Sequence, residues 1–310
     1  MKWRGREQSR NIEDVRGQRT SRSSGSPMGI PIGRSGTGGI QLGGGIGIIL
    51  LIVMFLFGGG LGSIGDMLGG GPTVNPNDAI VTNPNTSQNT SETELEADLR
   101  ELVGVVLKDT EDIWTKIFKD YGMQYKIPKL VIYKEGITSG CGYSSSAVGP
   151  YYCPADSKVY IDLSFYQELA TKFGAKGDFA MAYVVAHEIG HHIQNQLGIM
   201  NQMNAIRAQV NQATYNRYSV ALELQADYLA GVWARHLHDQ DLIDEADLDE
   251  AIAAARAVGD DTIQKRTQGR VVPENFTHGT AEQRAEWFAR GFKYADLEHS
   301  DTFKALGLSN

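Results

Sequence analysis

The sequence predicts an α+β protein: a mostly helical domain with a small sheet, preceded by one transmembrane helix. Three observations predict it. The 22 residues Ile40–Leu61 are uncharged and mostly apolar. Two short runs rich in β-branched residues, Lys129–Tyr133 and Lys158–Ile161, read as strands. From Leu163 onward, apolar residues recur mostly at helical spacing.

The first segment, residues 1–39, is basic and rich in Gly and Ser. Its eight Lys/Arg stand against Glu7, Glu13 and Asp14, a balance of +5 within a chain of net charge -8. The remainder therefore carries -13, and an acidic main domain argues against nucleic-acid binding, which needs clustered positive charge. Ser35 to Gly65 holds no charged residue, and its centre reads IGIILLIVMFLF. Residues 40–61 are long enough to cross a hydrocarbon core as a helix. A signal peptide would place its apolar core earlier and end in a small-residue cleavage site. The segment reads instead as an uncleaved anchor. The positive flank keeps the N-terminus in the cytoplasm and sends the domain across the membrane. Gly39, Gly43 and Gly47 repeat every four residues, the spacing that lets two spans pack as a homo-oligomer. Residues 62–93, poor in apolar periodicity, read as a flexible linker.

The folded domain is expected over 94–305. Ser91-x-x-Glu94 spells a helix-capping box, and Leu95, Leu99, Leu102, Val103 and Val106 follow at helical spacing. Further helices are expected over about 163–173, 178–196, 200–217, 219–238, 245–260 and 281–292, the last opened by a Thr280-x-x-Gln283 box. Cys141 and Cys153 lie 12 residues apart in a Gly/Ser/Tyr-rich loop. Outside the cytoplasm a disulfide is their natural state. Closing a loop of that length stabilises by about 3 kcal/mol in the chain-entropy model.

The chemistry sits in His187-Glu188-Ile189-Gly190-His191, an H-E-x-x-H motif behind the apolar run Phe179–Ala186. Residues four apart on a helix share a face, so both imidazoles can converge on one zinc ion. Glu188 is turned off that line, close enough to act as base on a water at the ion. On the later helix Ala221–Gly231, Glu223 and Asp227 are again four apart among apolar neighbours. Two buried carboxylates need positive partners. Glu223 is the expected third zinc ligand, and Asp227 the acceptor that fixes a ligand histidine, His187 first. The small residues Ala226, Ala230, Gly231 and Ala234 would let this helix approach the motif helix. His192 lies too far round the helix to share the ion.

H-E-x-x-H followed by Glu-x-x-x-Asp resembles the gluzincin metallopeptidases. Tyr152–Asp162, Ala186–Asn195 and Glu223–Asp227 together resemble more closely one bacterial family, the neutral zinc metallopeptidases, single-span membrane proteins with a basic, glycine-rich N-terminus. The resemblance implies a zincin-like domain, one zinc per chain, and a place in the bacterial inner membrane with the catalytic domain extracytoplasmic. Thr277-His278-Gly279 and Arg284 resemble the Thr-His-Pro and later Arg of membrane-associated gluzincins, with Gly in place of Pro. By that resemblance His278 would hydrogen-bond the tetrahedral oxyanion, and Arg284 would anchor a nearby carboxylate.

The expected activity is a membrane-anchored zinc metalloendopeptidase acting on peptides or proteins, with Val159–Ile161 as an edge strand for an extended substrate. The alternative is a catalytically silent, zinc-stabilised binding or assembly module of the envelope. The intact Glu188 speaks against it, because a purely structural zinc site has no use for a base beside the ion.

Overall fold

A computed structural model describes residues 1–17 and 92–308. Among these residues no helix is long and apolar enough to cross a membrane. The span expected over 40–61, the glycine repeat and most of the linker lie outside them.

The first long helix, α1 (Glu94–Asp120), is opened by Thr93. Its hydroxyl accepts from the Glu96 amide at 3.1 Å, and the Glu96 carboxylate accepts from the Thr93 amide at 3.0 Å. The capping box therefore lies two residues beyond the Ser91–Glu94 pair. Both pairs spell the motif, and Ser91 itself is outside the described residues. Leu99, Leu102, Val103 and Val106 are buried, as their spacing requires, while Leu95 stays exposed.

The main sheet has four strands in the order β1-β2-β6-β5. These are β1 (Ile12–Asp14), β2 (Lys129–Tyr133), β5 (Tyr151–Cys153) and β6 (Lys158–Asp162). Strands β1, β2 and β6 are parallel, and β5 runs antiparallel to β6. A separate hairpin joins β3 (Gly136–Ser139) to β4 (Gly142–Ser145). The period-two alternation divides the sheet cleanly. Leu130, Ile132, Val159 and Ile161 face the helical core. Val131, Tyr133, Tyr151, Cys153 and Tyr160 form a second cluster on the other face. There the Cys141–Cys153 disulfide ties the hairpin to β5, with Cα atoms 5.8 Å apart.

Two features of this sheet depart from the sequence reading. The run Val159–Ile161 belongs to an interior strand, and the edge is β5. A strand apolar on both faces is one buried on both faces, which is what a central position demands. The second departure is β1. Residues 1–17, expected as part of a separate basic segment, are built into the domain. Trp3 is buried and donates to Asp178 at 2.8 Å. Arg6 makes two hydrogen bonds to buried Asp109, at 2.6 and 2.9 Å. Asn11 donates to Glu111 at 2.9 Å.

After β6 the chain is helical. Helix α2 (Phe165–Glu168) runs into a π-turn, Leu169–Phe173. Helix α3 (Asp178–Gln196) is buried along almost its whole length and forms the centre of the core. Helix α4 (Ile199–Arg207) ends early, and Asn211 caps a long helix, α5 (Gln212–His238), by accepting from the Thr214 amide at 2.9 Å. The expected helix boundary near residue 218 does not occur, since nothing between 212 and 238 breaks the ladder. The expected helix over 245–260 divides at Gly259 into α6 (Glu245–Ala257) and α7 (Asp260–Gln268). Helix α8 (Ala281–Tyr294) starts at the expected Thr280–Gln283 box, and a short α9 (Thr302–Ala305) closes the chain.

Helices α5 and α8 cross at backbone contact. A Cβ added at Gly231 would sit 2.0 Å from the Phe288 carbonyl oxygen, and one at Gly291 would sit 1.9 Å from that of Tyr228. Gly231 thus serves the α5–α8 crossing and not an approach to the motif helix. That approach uses Ala226, which meets Gly190 closely enough that a Cβ at Gly190 would lie 3.0 Å from its Cα. Replacing Gly231 with Ala should cost at least about 2 kcal/mol of stability through overpacking. Gly17→Ala, where a Cβ meets nothing within 4 Å, should be nearly neutral. Urea midpoints of the two variants check this.

Candidate metal and catalytic site

The site is built where α3, α5, α8 and the loop before α8 converge. His187 and His191 project from one face of α3, with ring centroids 4.8 Å apart. Facing them from α5 is Glu223. Its Oε2 lies 3.2 Å from His187 Nε2, and its Oε1 lies 3.4 Å from His191 Nε2. The ligand atoms of these three buried residues all fall within 4.8 Å of one another.

The outward nitrogens are both engaged, which sets the tautomers. His187 Nδ1 donates to Asp227 at 2.8 Å. His191 Nδ1 donates to the Gln194 side-chain oxygen at 2.8 Å. That amide is oriented by its own NH2, which donates to the Leu222 carbonyl at 2.7 Å and to Gln225 at 3.0 Å. Each imidazole therefore turns its Nε2 lone pair inward, toward the Glu223 carboxylate. Two neutral imidazoles and a carboxylate are a zinc donor set, and the supporting acceptors behind them are those such sites use.

Asp227 is fully buried. It accepts from His187, from Tyr183 at 2.5 Å, and from Arg284 twice, at 2.8 and 2.9 Å. Burial alone would push its carboxyl up. Arg284 and His187 outweigh that and hold it below the usual range. Burial likewise pushes the His187 imidazolium down, but the Asp227 carboxylate overrides it and lifts the pKa to about 9. Glu223 is held well below the ordinary range against its own burial by His278, His191 and His187.

Glu188 lies one residue on from His187 and points into a cavity of about 420 Å³. It is buried, and its Oε2 has no hydrogen-bond partner. Burial raises its pKa, opposed by the neighbouring histidines. His278 lines the same cavity. Its loop is organised by Asp260, whose Oδ2 accepts the amides of Thr277, His278 and Gly279 at 2.7, 2.6 and 3.1 Å. Asp260 Oδ1 lies 3.3 Å from His278 Nδ1, which leaves Nε2 for the cavity. Gly279 has φ +89, a conformation closed to proline, so this loop takes a turn that a Thr-His-Pro sequence cannot.

His187, Glu188, His191, Glu223, Asp227, His278 and Arg284 are thus brought into one site, while His192 turns away to bond Tyr152 and the Lys126 carbonyl. Sequence reasoning missed Tyr183, Gln194 and Asp260. Tyr183 and Gln194 stand four before His187 and three after His191, on the face the motif defines. Nothing local marks Asp260, which earns its role through a loop distant in sequence.

The chain belongs to the family described as "Putative neutral zinc metallopeptidase", whose model matches residues 1–303. It is 42% identical over 304 residues to the uncharacterized protein YpfJ of Escherichia coli K12, covering 98% of this chain and 99% of that one. It is 43% identical over 195 residues to the uncharacterized protein Rv2575 of Mycobacterium tuberculosis H37Rv, covering 59% and 65% of the two chains. No solved structure matches the chain.

Zinc bound at His187 Nε2 would displace the second proton of the imidazolium that Asp227 stabilises from Nδ1. With the folded pKa near 9, apparent zinc affinity should rise about tenfold per pH unit from neutrality toward pH 9, then level off. Asp227→Asn should flatten that rise, because the imidazole then titrates lower. Competition with a chelator across this pH range measures both slopes.

Proposed function

We propose that this chain is a zinc-dependent metalloendopeptidase. The observation that carries the reading is the unpartnered Glu188 Oε2, buried beside the ligand triad and facing a cavity. An orphaned buried acceptor costs stability and is kept where chemistry needs it.

His187, His191 and Glu223 would hold zinc, which would supply a Lewis acid for the scissile carbonyl and for an attacking water. Glu188 takes a proton from the attacking water and hands it to the leaving amine. Its raised pKa suits both halves of that transfer. His278 donates from Nε2 to the developing oxyanion, held in line by Asp260. Arg284 and Tyr183 keep Asp227 in place.

The cavity supports a peptide substrate. One wall is the segment Ala147–Pro150, which leads directly into the edge strand β5. As the edge of the sheet, β5 takes the pairing role with an extended chain first assigned to Val159–Ile161. Val148, Phe165, Phe173, Val184 and Ile263 make the interior strongly apolar. A large apolar side chain next to the scissile bond fits there. The disulfide supports an oxidising compartment for the domain. The silent-module alternative gains no support, since a binding role leaves the Glu188 carboxylate unexplained.

Glu188→Gln should retain fold and zinc while hydrolysis of an unfolded protein substrate falls by about 10²–10⁴-fold. Equal inertness of the wild-type chain and the variant on peptide libraries would sink the peptidase reading. His278→Ala should lower kcat by about 10²–10³-fold with zinc content unchanged. An intact kcat would reduce His278 to a loop residue. Steady-state kinetics with metal analysis on the same preparations distinguishes the two variants.

A further inference from the structure

Residues 1–17 and 92–308 form one folded unit, and the contacts that join them are buried and specific. Strand β1 pairs with β2, Ile12 opposite Leu130 and Asp14 opposite Ile132. Trp3 sits in the helical core. Removing this segment would leave Asp109 and Glu111 buried without Arg6, Ser9 and Asn11. It would also expose the edge of β2.

Two further observations concern where the intervening chain departs and returns. Arg16 donates to Asp14 and to Glu92, each at 2.6 Å. The two ends of the stretch 18–91 are therefore pinned side by side. Four of the eight positive charges in residues 1–39 are also engaged in the fold. Arg4 pairs with Asp98, Arg6 with Asp109, and Arg16 with Asp14 and Glu92, while Lys2 donates to the Asp241 carbonyl. These side chains have acidic or carbonyl partners in the domain, and so carry less weight as a cytoplasmic retention signal.

We infer that residues 1–17 and the catalytic domain lie on the same side of the membrane. A single crossing would put a bilayer between β1 and β2, whether the strands belong to one chain or to two neighbouring copies. The crossings between residues 17 and 92 are therefore even in number. A full crossing takes about 20 apolar residues. The 31 uncharged residues Ser35–Gly65 fall short of two. This replaces the expectation of a cytoplasmic N-terminus opposite an exported domain. It is independent of the peptidase reading, since no step of it involves catalysis.

The test uses the full chain in bacterial cells, with a cysteine introduced at exposed Glu7 in one variant and at exposed Glu286 in another. Both are treated with a membrane-impermeant maleimide before and after lysis. The inference expects matched behaviour: both sites labelled in intact spheroplasts, consistent with the disulfide. Labelling of both only after lysis would also support one shared side, and would move that side to the cytoplasm. Labelling of Glu286→Cys in intact spheroplasts with Glu7→Cys protected until lysis would overturn the inference. The reverse pattern would overturn it equally.

Discussion

The centre depends on a single buried charge. Asp227 has no contact with solvent, and its two oxygens are shared among His187, Tyr183 and Arg284. Remove any one donor and a carboxylate is left partly uncompensated in the core, where the penalty is several kcal/mol. The network also explains the crossing of α5 and α8 at Gly231 and Gly291. Arg284 meets Asp227 through Nε and Nη2 across this close crossing. Packing, charge compensation and ligand orientation are thus one arrangement. His187 is aimed because Asp227 is held, and Asp227 is held because two glycines lack side chains.

A second tier of acceptors does the same for the other ligands. Gln194 reads its own orientation from the Leu222 carbonyl and passes it to His191. Asp260 gathers three successive amides and so fixes the turn that presents His278. Glu188 alone is without such support at Oε2. In a site where the other polar groups are tied down, the group left untied is the one expected to exchange protons.

Much of this was legible from spacing. His187/His191 and Glu223/Asp227 are two copies of the four-residue helical repeat, and burial on α3 and α5 followed from the apolar residues around them. Tyr183 and Gln194 obey the same periodicity and would have come from extending it one turn each way. Asp260 could not, because its partners lie across a turn that only the fold brings together. Strand β1 was hidden for a similar reason. Three residues, two of them acidic, carry no strand pattern, and their pairing with β2 bridges more than a hundred residues. The interior position of β6 was written in its apolarity, which marks a strand buried on both faces and not the edge expected of Val159–Ile161.

The order in which the parts leave the ribosome gives the Asp227 network a temporal meaning. His187 and His191 on α3 and Glu223 on α5 are made well before Arg284 on α8. Until α8 arrives, Asp227 has Tyr183 and His187 of α3 but lacks the Arg284 counter-charge, and α5 lacks the helix that crosses it at Gly231. A nascent chain therefore holds the ligands without the geometry. The candidate metal site is therefore assembled only once α8 has been made.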